Sequence, residues 1–557
     1  MNRRKLIKGM AAALPAWWLS KAFGEPLQGL DTYGVPGEKM ANGPFNPTWD
    51  SLEKYSVPDW FRDAKFGMWA HWGAQCEPEH GDWYARMMYD EGNEHYKYHL
   101  EKYGHPSKVG FKDVIHQWKA QNWNPDQLVE LYKKAGAQYF VAMANHHDNF
   151  DNYDSRYQPW NSVKMGPKKD LIGGWAKAAK KQGLRFGVSV HAAHAWSWYE
   201  TAQRSDKSGP MAGVPYDGKL KKADGKGTWW EGLDPQQLYA QNHALSAGSE
   251  NLNTIHKQWH WGAGVNVPDK AYCENFYNRT VDLINKYHPD LVYFDDTALP
   301  LWPISDAGLR IAAHMYNESI KRNGKLEAVI NGKILDEKQR KCMVWDIEKC
   351  ASNNIEPLPW QTCTCIGGWH YDRRVYDRKE YKGVRDVVNQ LVDVVSKNGN
   401  LLLNVPVRAD GTIDELELAV VQDIGKWMAV NSEAIFATRP WKIFGEGPSI
   451  ANAKPLSGQG FNEGAARHFT AEDFRFTQKG NILYATFFGW PENKQVVVRS
   501  LAAGSPQVDN KKVTEVNLLG YNGKLQWEQG AEGLLVKLPD NKPGDNAFAL
   551  KISGITG

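Results

Sequence analysis

Acidic and imidazole side chains recur at the ends of apolar runs in this chain of 557 residues. The plainest case is DLVYFDD, residues 290–296, where four apolar or aromatic residues run into Asp295-Asp296. Burying a charge costs several kcal/mol unless it is paired, so two carboxylates at such a place ask for a use. CMVWDIE (342–348) ends in Asp346 and Glu348. KFGMWAHWG (65–73) carries His71-Trp72. QYFVAMANHH (138–147) ends in His146-His147 with Asp148 next, and LRFGVSVHAAH (184–194) holds His191 and His194. Strand ends are often polar because loops are wet. That explains the Asn and Asp at these ends but not five His and several Trp. A carboxyl pair can divide nucleophilic attack and proton transfer. The imidazoles with Asp148 are the alternative, a zinc site. Adjacent His146 and His147 on a strand would face opposite ways, which weakens that reading, so no metal is expected; a bend at the strand end would let both reach a substrate.

The elements that must carry these groups follow from the spacing. LEAVING (326–332), WQTCTCI (360–366) and NLLLNVP (400–406) complete eight short strand-like runs between residues 65 and 406. Helical patterns separate most of them: NPDQLVELYKKAG (124–136), KDLIGGWAKAAKKQG (169–183), NFYNRTVDLINKY (275–287) and YKGVRDVVNQLVDVVSKNG (381–399). Eightfold strand–helix alternation predicts an α/β fold, a (β/α)8 TIM-like barrel over residues 25–440, with its working groups at the C-terminal ends of the strands. Residues 195–270 form a long insertion whose Trp229-Trp230 predict an ordered loop leaning over the site. Asp148-x-x-Asp151-x-x-Asp154 has the wrong spacing for a calcium loop and is expected to be solvated. After residue 440 the runs 474–490, 495–501, 512–520, 533–539 and 547–553 alternate apolar and polar residues. They predict a C-terminal antiparallel β-sandwich over 441–557.

Residues 1–24 have the form of a signal peptide. Arg3, Arg4, Lys5 and Lys8 precede an apolar stretch, Ala11–Leu19, too short to span a bilayer, and Ala22-Phe23-Gly24 offers a cleavage site. The paired arginines resemble a twin-arginine signal, which predicts export to the periplasm or beyond. No later stretch suits a membrane helix. A net charge of +3 does not call for a nucleic-acid partner. Six cysteines are too few for a disulfide scaffold; a Cys342–Cys350 bridge is compatible with the spacing but nothing demands it. The 25 Trp, 24 Tyr and 19 Phe suit the C–H faces of sugars and suit a large core equally. Nothing in the chain speaks to oligomeric state.

Several stretches together resemble glycoside hydrolase family 29, the α-L-fucosidases. WFRDAKFGMWAHWG (60–73) resembles the family's opening strand, GDWYARMMY (81–89) its E-W-Y segment, and NHHDNFDNYDS (145–155) its K-H-H-D-G-F motif. YHPDLVYFDD (287–296) resembles the segment holding its nucleophile, and SKNGNLLLNVPVRADGTI (396–413) its G-G-N-L-L-L-N run. The likeness covers most of residues 50–555. It implies a barrel with a C-terminal sandwich and exo-acting, retaining release of terminal α-L-fucose from an oligo- or polysaccharide without a cofactor. On that likeness Asp295 is the nucleophile. His71, His146, His147, Asp82, Trp83 and Trp369 bind or wall the sugar. The acid/base varies within the family. Glu348, expected at the end of the run CMVWDIE against an apolar wall that would raise its pKa, is the choice here, with Asp346, Glu337 and Glu356 as rivals. Asp296 is expected to point away from Asp295 and brace the site.

The departures from the family lie in the sugar pocket: Asp82 for Glu, Asp295-Asp296 for Asp-Gly, Lys333 for Arg, and Val190-His191 where Tyr and Ser are usual. His191 is therefore a candidate substrate contact. An α-L-galactosidase on an L-galactose-containing glycan stays open, as does an inactive carbohydrate-binding homologue.

Overall fold

The computed structural model describes residues 35–241, 243–247, 261, 264–451, 456, 462–463 and 468–556. The signal-like segment, residues 1–24, lies outside them.

Eight parallel strands close into a barrel in sequence order: β1 (Phe66–Ala70), β2 (Tyr139–Asn145), β3 (Arg185–Val190), β4 (Leu291–Thr297), β5 (Val329–Lys333), β6 (Val344–Asp346), β7 (Trp360–Cys365) and β8 (Gly399–Asn404). Each coincides with one of the eight expected runs. Nearly every residue in them is buried, as parallel strands covered on both faces require. The seam closes between β8 and β1, with Phe66 opposite Leu401 and Trp69 opposite Asn404.

Helices α1 (Pro125–Lys134), α2 (Leu171–Lys181), α3 (Lys270–Tyr287) and α4 (Ala307–Asn323) follow β1 to β4, and α5 (Val384–Ser396) and α6 (Glu415–Asn431) follow β7 and β8. Their starts are written in side chains that satisfy orphan N–H groups. Asn124 accepts from the Gln127 amide at 3.2 Å and Asp269 from Tyr272 at 2.8 Å. The ring is incomplete: β5 and β6 are joined through a single turn, Gln339–Cys342, and β6 and β7 by residues 347–359 without a helix. On that side loops, not a helix, deliver side chains to the barrel mouth.

Residues 439–553 carry two antiparallel sheets. One has five strands in the order β13 (Glu515–Leu518), β16 (Ala547–Ser553), β11 (Ile482–Phe488), β10 (Phe474–Lys479), β9 (Arg439–Glu446). The other has three, β12 (Gln495–Val498), β15 (Gly533–Lys537), β14 (Gln526–Gly530). Their shared core includes Trp441, Phe474, Phe476, Phe487, Val498, Leu534 and Phe548. Asp393 of α5 ties this unit to the barrel: it accepts from Arg475 of β10 at 2.5 Å and from Lys397 at 2.6 Å, all three buried. All six cysteines are free and buried, so Cys342 and Cys350 are not bridged.

Two local expectations are corrected. Asp148 and Asp151 are not solvated. Asp151 is fully buried and bonded by Arg279 of α3 at 2.7 Å and by Asn145 at 3.0 Å. Asp148 is buried and accepts from the Phe150 amide; burial raises its carboxyl to about 6 against that bond. Only Asp154 of the three is exposed. Trp229 and Trp230 belong to an ordered part of the insertion but do not cover the barrel mouth. Trp229 stacks on His116 with ring centres 4.2 Å apart and donates to Asp113. Trp198, nearer the start of the insertion, packs beside Trp83, His146 and His147 instead.

Candidate active site

The C-terminal mouth of the barrel holds a cavity of about 430 Å³, within the range of small-molecule sites. All nine expected site residues line it: Asp295, Glu348, His71, Asp82, Trp83, His146, His147, His191 and Trp369. Glu337 is exposed and Glu356 is bonded to Ser352 and Arg340; neither lines it.

Asp295 stands near the end of β4. Its Oδ2 lies 3.1 Å from His191 Nδ1 and 3.3 Å from His147 Nε2, and its Oδ1 accepts from Lys333 Nζ at 2.5 Å. Burial pushes this carboxyl upward, but the Lys333 ammonium and the two imidazoles outweigh it and hold Asp295 well below the ordinary carboxylate range. It is ionised, as a nucleophile must be. Asp296 turns the other way, accepting from His194 at 3.0 Å and from the Thr297 amide at 2.8 Å, the brace that strand alternation predicts.

Glu348 lies two residues past β6, and its wall is polar rather than apolar. Its Oε2 accepts from Lys333 Nζ, the same nitrogen that bonds Asp295, and its Oε1 accepts from Trp369 Nε1 at 3.0 Å. Two hydrogen bonds of 2.5 Å or less from one nitrogen place the accepting oxygens no more than about 5 Å apart. The rival Asp346 also lines the cavity but is buried at its floor, taking Tyr293 Oη and Cys363 Sγ at 3.2 Å and Gln361 Nε2 at 2.8 Å. Burial raises it to about 6, with Lys333 the main opposing influence.

His146 and His147 both reach the cavity because β2 slips register between Met143 and Asn145 and ends there. The Asn145 side chain fixes the bend by accepting from the His191 and Ala192 amides at 3.1 and 3.2 Å. Strand alternation therefore does not apply to the pair, whose ring centres are 4.5 Å apart. His71 follows β1, its amide held by Asn404 of β8 at 2.9 Å. The same Asn404 donates to the Trp369 carbonyl at 2.9 Å and so helps hold Trp369 beside His71, their ring centres 5.6 Å apart. Burial and neighbouring imidazoles hold His71 and His146 well below the usual histidine range, and burial brings His191 down to about 4 despite its bond to Asp295. These rings are neutral at pH 7.

Their partners decide which atoms they offer. His191 donates through Nδ1 to Asp295, leaving Nε2 an acceptor. Gln75 places an amide N–H on His146 Nδ1 at 2.8 Å, so His146 Nε2 carries the proton. His370, fully buried behind the pocket, donates through Nδ1 to Asp82 at 2.5 Å. Among the described residues, both His71 nitrogens, His191 Nε2, His370 Nε2 and Trp69 Nε1 are buried without a hydrogen bond. His71, Asp82, His146 and His370 are close enough together to hold a metal ion. A metal needs convergent lone pairs, though, and the protonated His146 Nε2 is a donor. A mixture of donors and acceptors suits hydroxyl groups, each of which is both.

Lys333, His370, Gln75, Asn404, Tyr293 and Trp69 complete the site beyond the expected set. Lys333 had a sequence signal as the departure from Arg at the end of β5. His370 had only its place at a strand end, and Gln75 had none.

A family model described as "Alpha-L-fucosidase" matches residues 35–433, and one described as "Alpha-L-fucosidase C-terminal domain" matches residues 467–553. Tissue alpha-L-fucosidase of Rattus norvegicus is 26% identical over 557 residues, covering 97% of this chain and 98% of that protein. The Homo sapiens tissue enzyme is 25% identical over 529 residues, 92% of each. The crystal structure of Thermotoga maritima alpha-fucosidase in complex with fucose superposes with a TM-score of 0.65 at 23% identity, over 91% of this chain and 99% of that one. That likeness bears on the fold.

Proposed function

The chain belongs to the α-L-fucosidase family, and on that premise we propose that it is an exo-acting retaining glycosidase that releases terminal α-L-fucose from oligo- or polysaccharides by double displacement. Asp295 attacks the anomeric carbon while Glu348, a carboxylate in the free protein that takes up a proton from water as the sugar binds, gives that proton to the departing oxygen, and a fucosyl–Asp295 ester forms. Glu348 then takes a proton from water, whose oxygen attacks the same carbon and returns Asp295 to a carboxylate. The observation that carries this reading is the single nitrogen bonded to both carboxylates. An oxygen separation of no more than about 5 Å lies close to the about 5–5.5 Å of a retaining pair and well short of the about 6.5–9.5 Å that an inverting pair needs for its water. The neutral imidazoles and Asp82 hold the ring hydroxyls, and Trp83 and Trp369 wall the ring. The basic, small-residue-terminated N-terminus supports export to the periplasm or beyond.

L-Galactose is the second reading. Its additional C6 hydroxyl would give the buried His191 Nε2 a donor, and His191 stands where the family usually has other residues. Hydrolysis of paired 4-nitrophenyl α-L-fucoside and α-L-galactoside, with the first-formed anomer followed by NMR, tests both. Turnover of the fucoside with retained configuration is expected. Turnover of the galactoside alone moves the assignment to L-galactose, inversion refutes the mechanism, and binding of fucose without turnover of either glycoside leaves a carbohydrate-binding protein.

A further inference from the structure

Lys333 ends β5 and its side chain reaches into the cavity, 13% exposed, between two carboxylates each 16% exposed. Nζ bonds Asp295 Oδ1 and Glu348 Oε2 at once and sits 5.6 Å from the centre of the Tyr293 ring. In a double displacement the anomeric carbon occupies that same interval, about 3–3.5 Å from the attacking oxygen, and it carries the developing positive charge. A carbon so placed overlaps the van der Waals sphere of the ammonium. If the ammonium stayed, it would also set one full cation beside another in a site of low dielectric.

We propose that Lys333 is an internal occupant of the reacting centre: in the free protein its ammonium stands where the anomeric carbon and its charge will stand, and the incoming sugar displaces it. The inference rests on the assignment of Asp295 and Glu348 as the reacting pair. Lys333 is thus a positioning residue. It holds two like charges together in the empty pocket and vacates Oδ1, the oxygen not engaged by His147 and His191, as substrate arrives. A lysine suits this role better than the arginine of the family pattern. Its charge is compact and its four-carbon stem flexible, whereas a guanidinium is a broad planar fork. The Tyr293 face and the Asp346 carboxylate are the neighbouring groups able to receive the displaced ammonium.

The consequence is selective. A neutral sugar must only push the ammonium aside, whereas a sugar-shaped cation must also compete with it for the same two carboxylates. Calorimetric titration of the full chain with L-fucose and with the protonated L-fuco-configured piperidine iminosugar measures this. Lys333→Met should raise the ratio of iminosugar to L-fucose affinity by about 10- to 100-fold over that of the wild type. Lys333→Arg should return the ratio toward the wild-type value. Lys333→Gln repeats the test should the Met variant fold poorly, and fucose binding reports an intact pocket. An unchanged iminosugar-to-fucose ratio in a variant that still binds fucose overturns the proposal alone. So does a fucose complex in which Nζ still bonds both carboxylates. Failure of the wild type to bind either ligand overturns the sugar assignment and this inference with it.

Discussion

Replacing Glu348 by Gln separates two carboxyls that compete for one role. By acidity alone Asp346 is attractive as the proton donor, since burial raises it to about 6. Geometry argues against it: although it borders the cavity floor, both its oxygens are already engaged by Tyr293, Cys363 and Gln361, and the residue is 1% exposed. Glu348 reaches the cavity and shares the Lys333 nitrogen with Asp295. A positioned general acid or base contributes about 10²–10⁴-fold, which is about 2.7–5.4 kcal/mol of barrier. That contribution is needed in full when the leaving group is a sugar alcohol and hardly at all when it is nitrophenolate. Glu348→Gln should therefore lower kcat/KM on a fucosylated oligosaccharide by about 10²–10⁴-fold and on nitrophenyl α-L-fucoside by about tenfold or less. With the nitrophenyl substrate the second step still lacks its base, so a burst of nitrophenol should precede slow turnover, and added azide should relieve it. Asp346→Asn should instead weaken folding by about 1–3 kcal/mol through its buried hydrogen bonds and affect both substrates alike. Leaving-group dependence in the Asp346 variant, with none in the Glu348 variant, would refute the assignment.

Three further outcomes follow from the same geometry. Asp295 is depressed, so the nucleophile is ionised and active above its pKa and is lost as pH falls through it; His191→Phe removes one stabilising N–H and should move the acid limb of kcat/KM upward, and a pH profile with an unmoved limb would count against that bond. Asp393→Ala leaves Arg475 and Lys397 buried without their carboxylate and should cost about 3–5 kcal/mol in denaturant unfolding, with a change below about 1 kcal/mol showing that the contact between barrel and sandwich is not tight. Exhaustive dialysis against EDTA should leave turnover intact, because His146 presents a proton rather than a lone pair; loss of activity that zinc restores would contradict that tautomer.

The barrel was legible because a parallel strand buried on both faces must be apolar along its length. That gives compact runs such as NLLLNVP that little else in a globular chain imitates. The sandwich was less so. β10 and β11 lie within the single run 474–490, divided at Gly480 in the left-handed region at φ 56°. β9 and β14 carry half-exposed residues and give weak alternation. Site residues at strand ends were visible by type and Asp82, Trp83 and Trp369 through the family likeness, and all nine line the cavity, yet their neighbours were not legible. Asp151 looks wet in sequence because its partner Arg279 lies 128 residues away. His146 and His147 break strand alternation because of a register slip held by Asn145, which no local pattern announces. The setting of Glu348 depends on Lys333, which comes from a different strand, and an apolar wall was inferred where a cation stands.

That cation bears on why the pocket is so rich in imidazole. A site that must accept a transient positive charge gains from hydrogen-bonding groups that add no fixed positive charge of their own. His71, His146 and His191 meet that condition because burial and mutual proximity keep them unprotonated at neutral pH. An arginine or a second lysine in their places would repel the reacting carbon permanently. Lys333 is the exception in kind, placed between the two carboxylates themselves, and a tethered but mobile ammonium reconciles the two needs. In the empty pocket it balances carboxylates that would otherwise repel at close range in a low dielectric. In the occupied pocket the developing charge on the sugar takes over that balance, so the field that holds Lys333 in place beforehand is the field that stabilises the transition state.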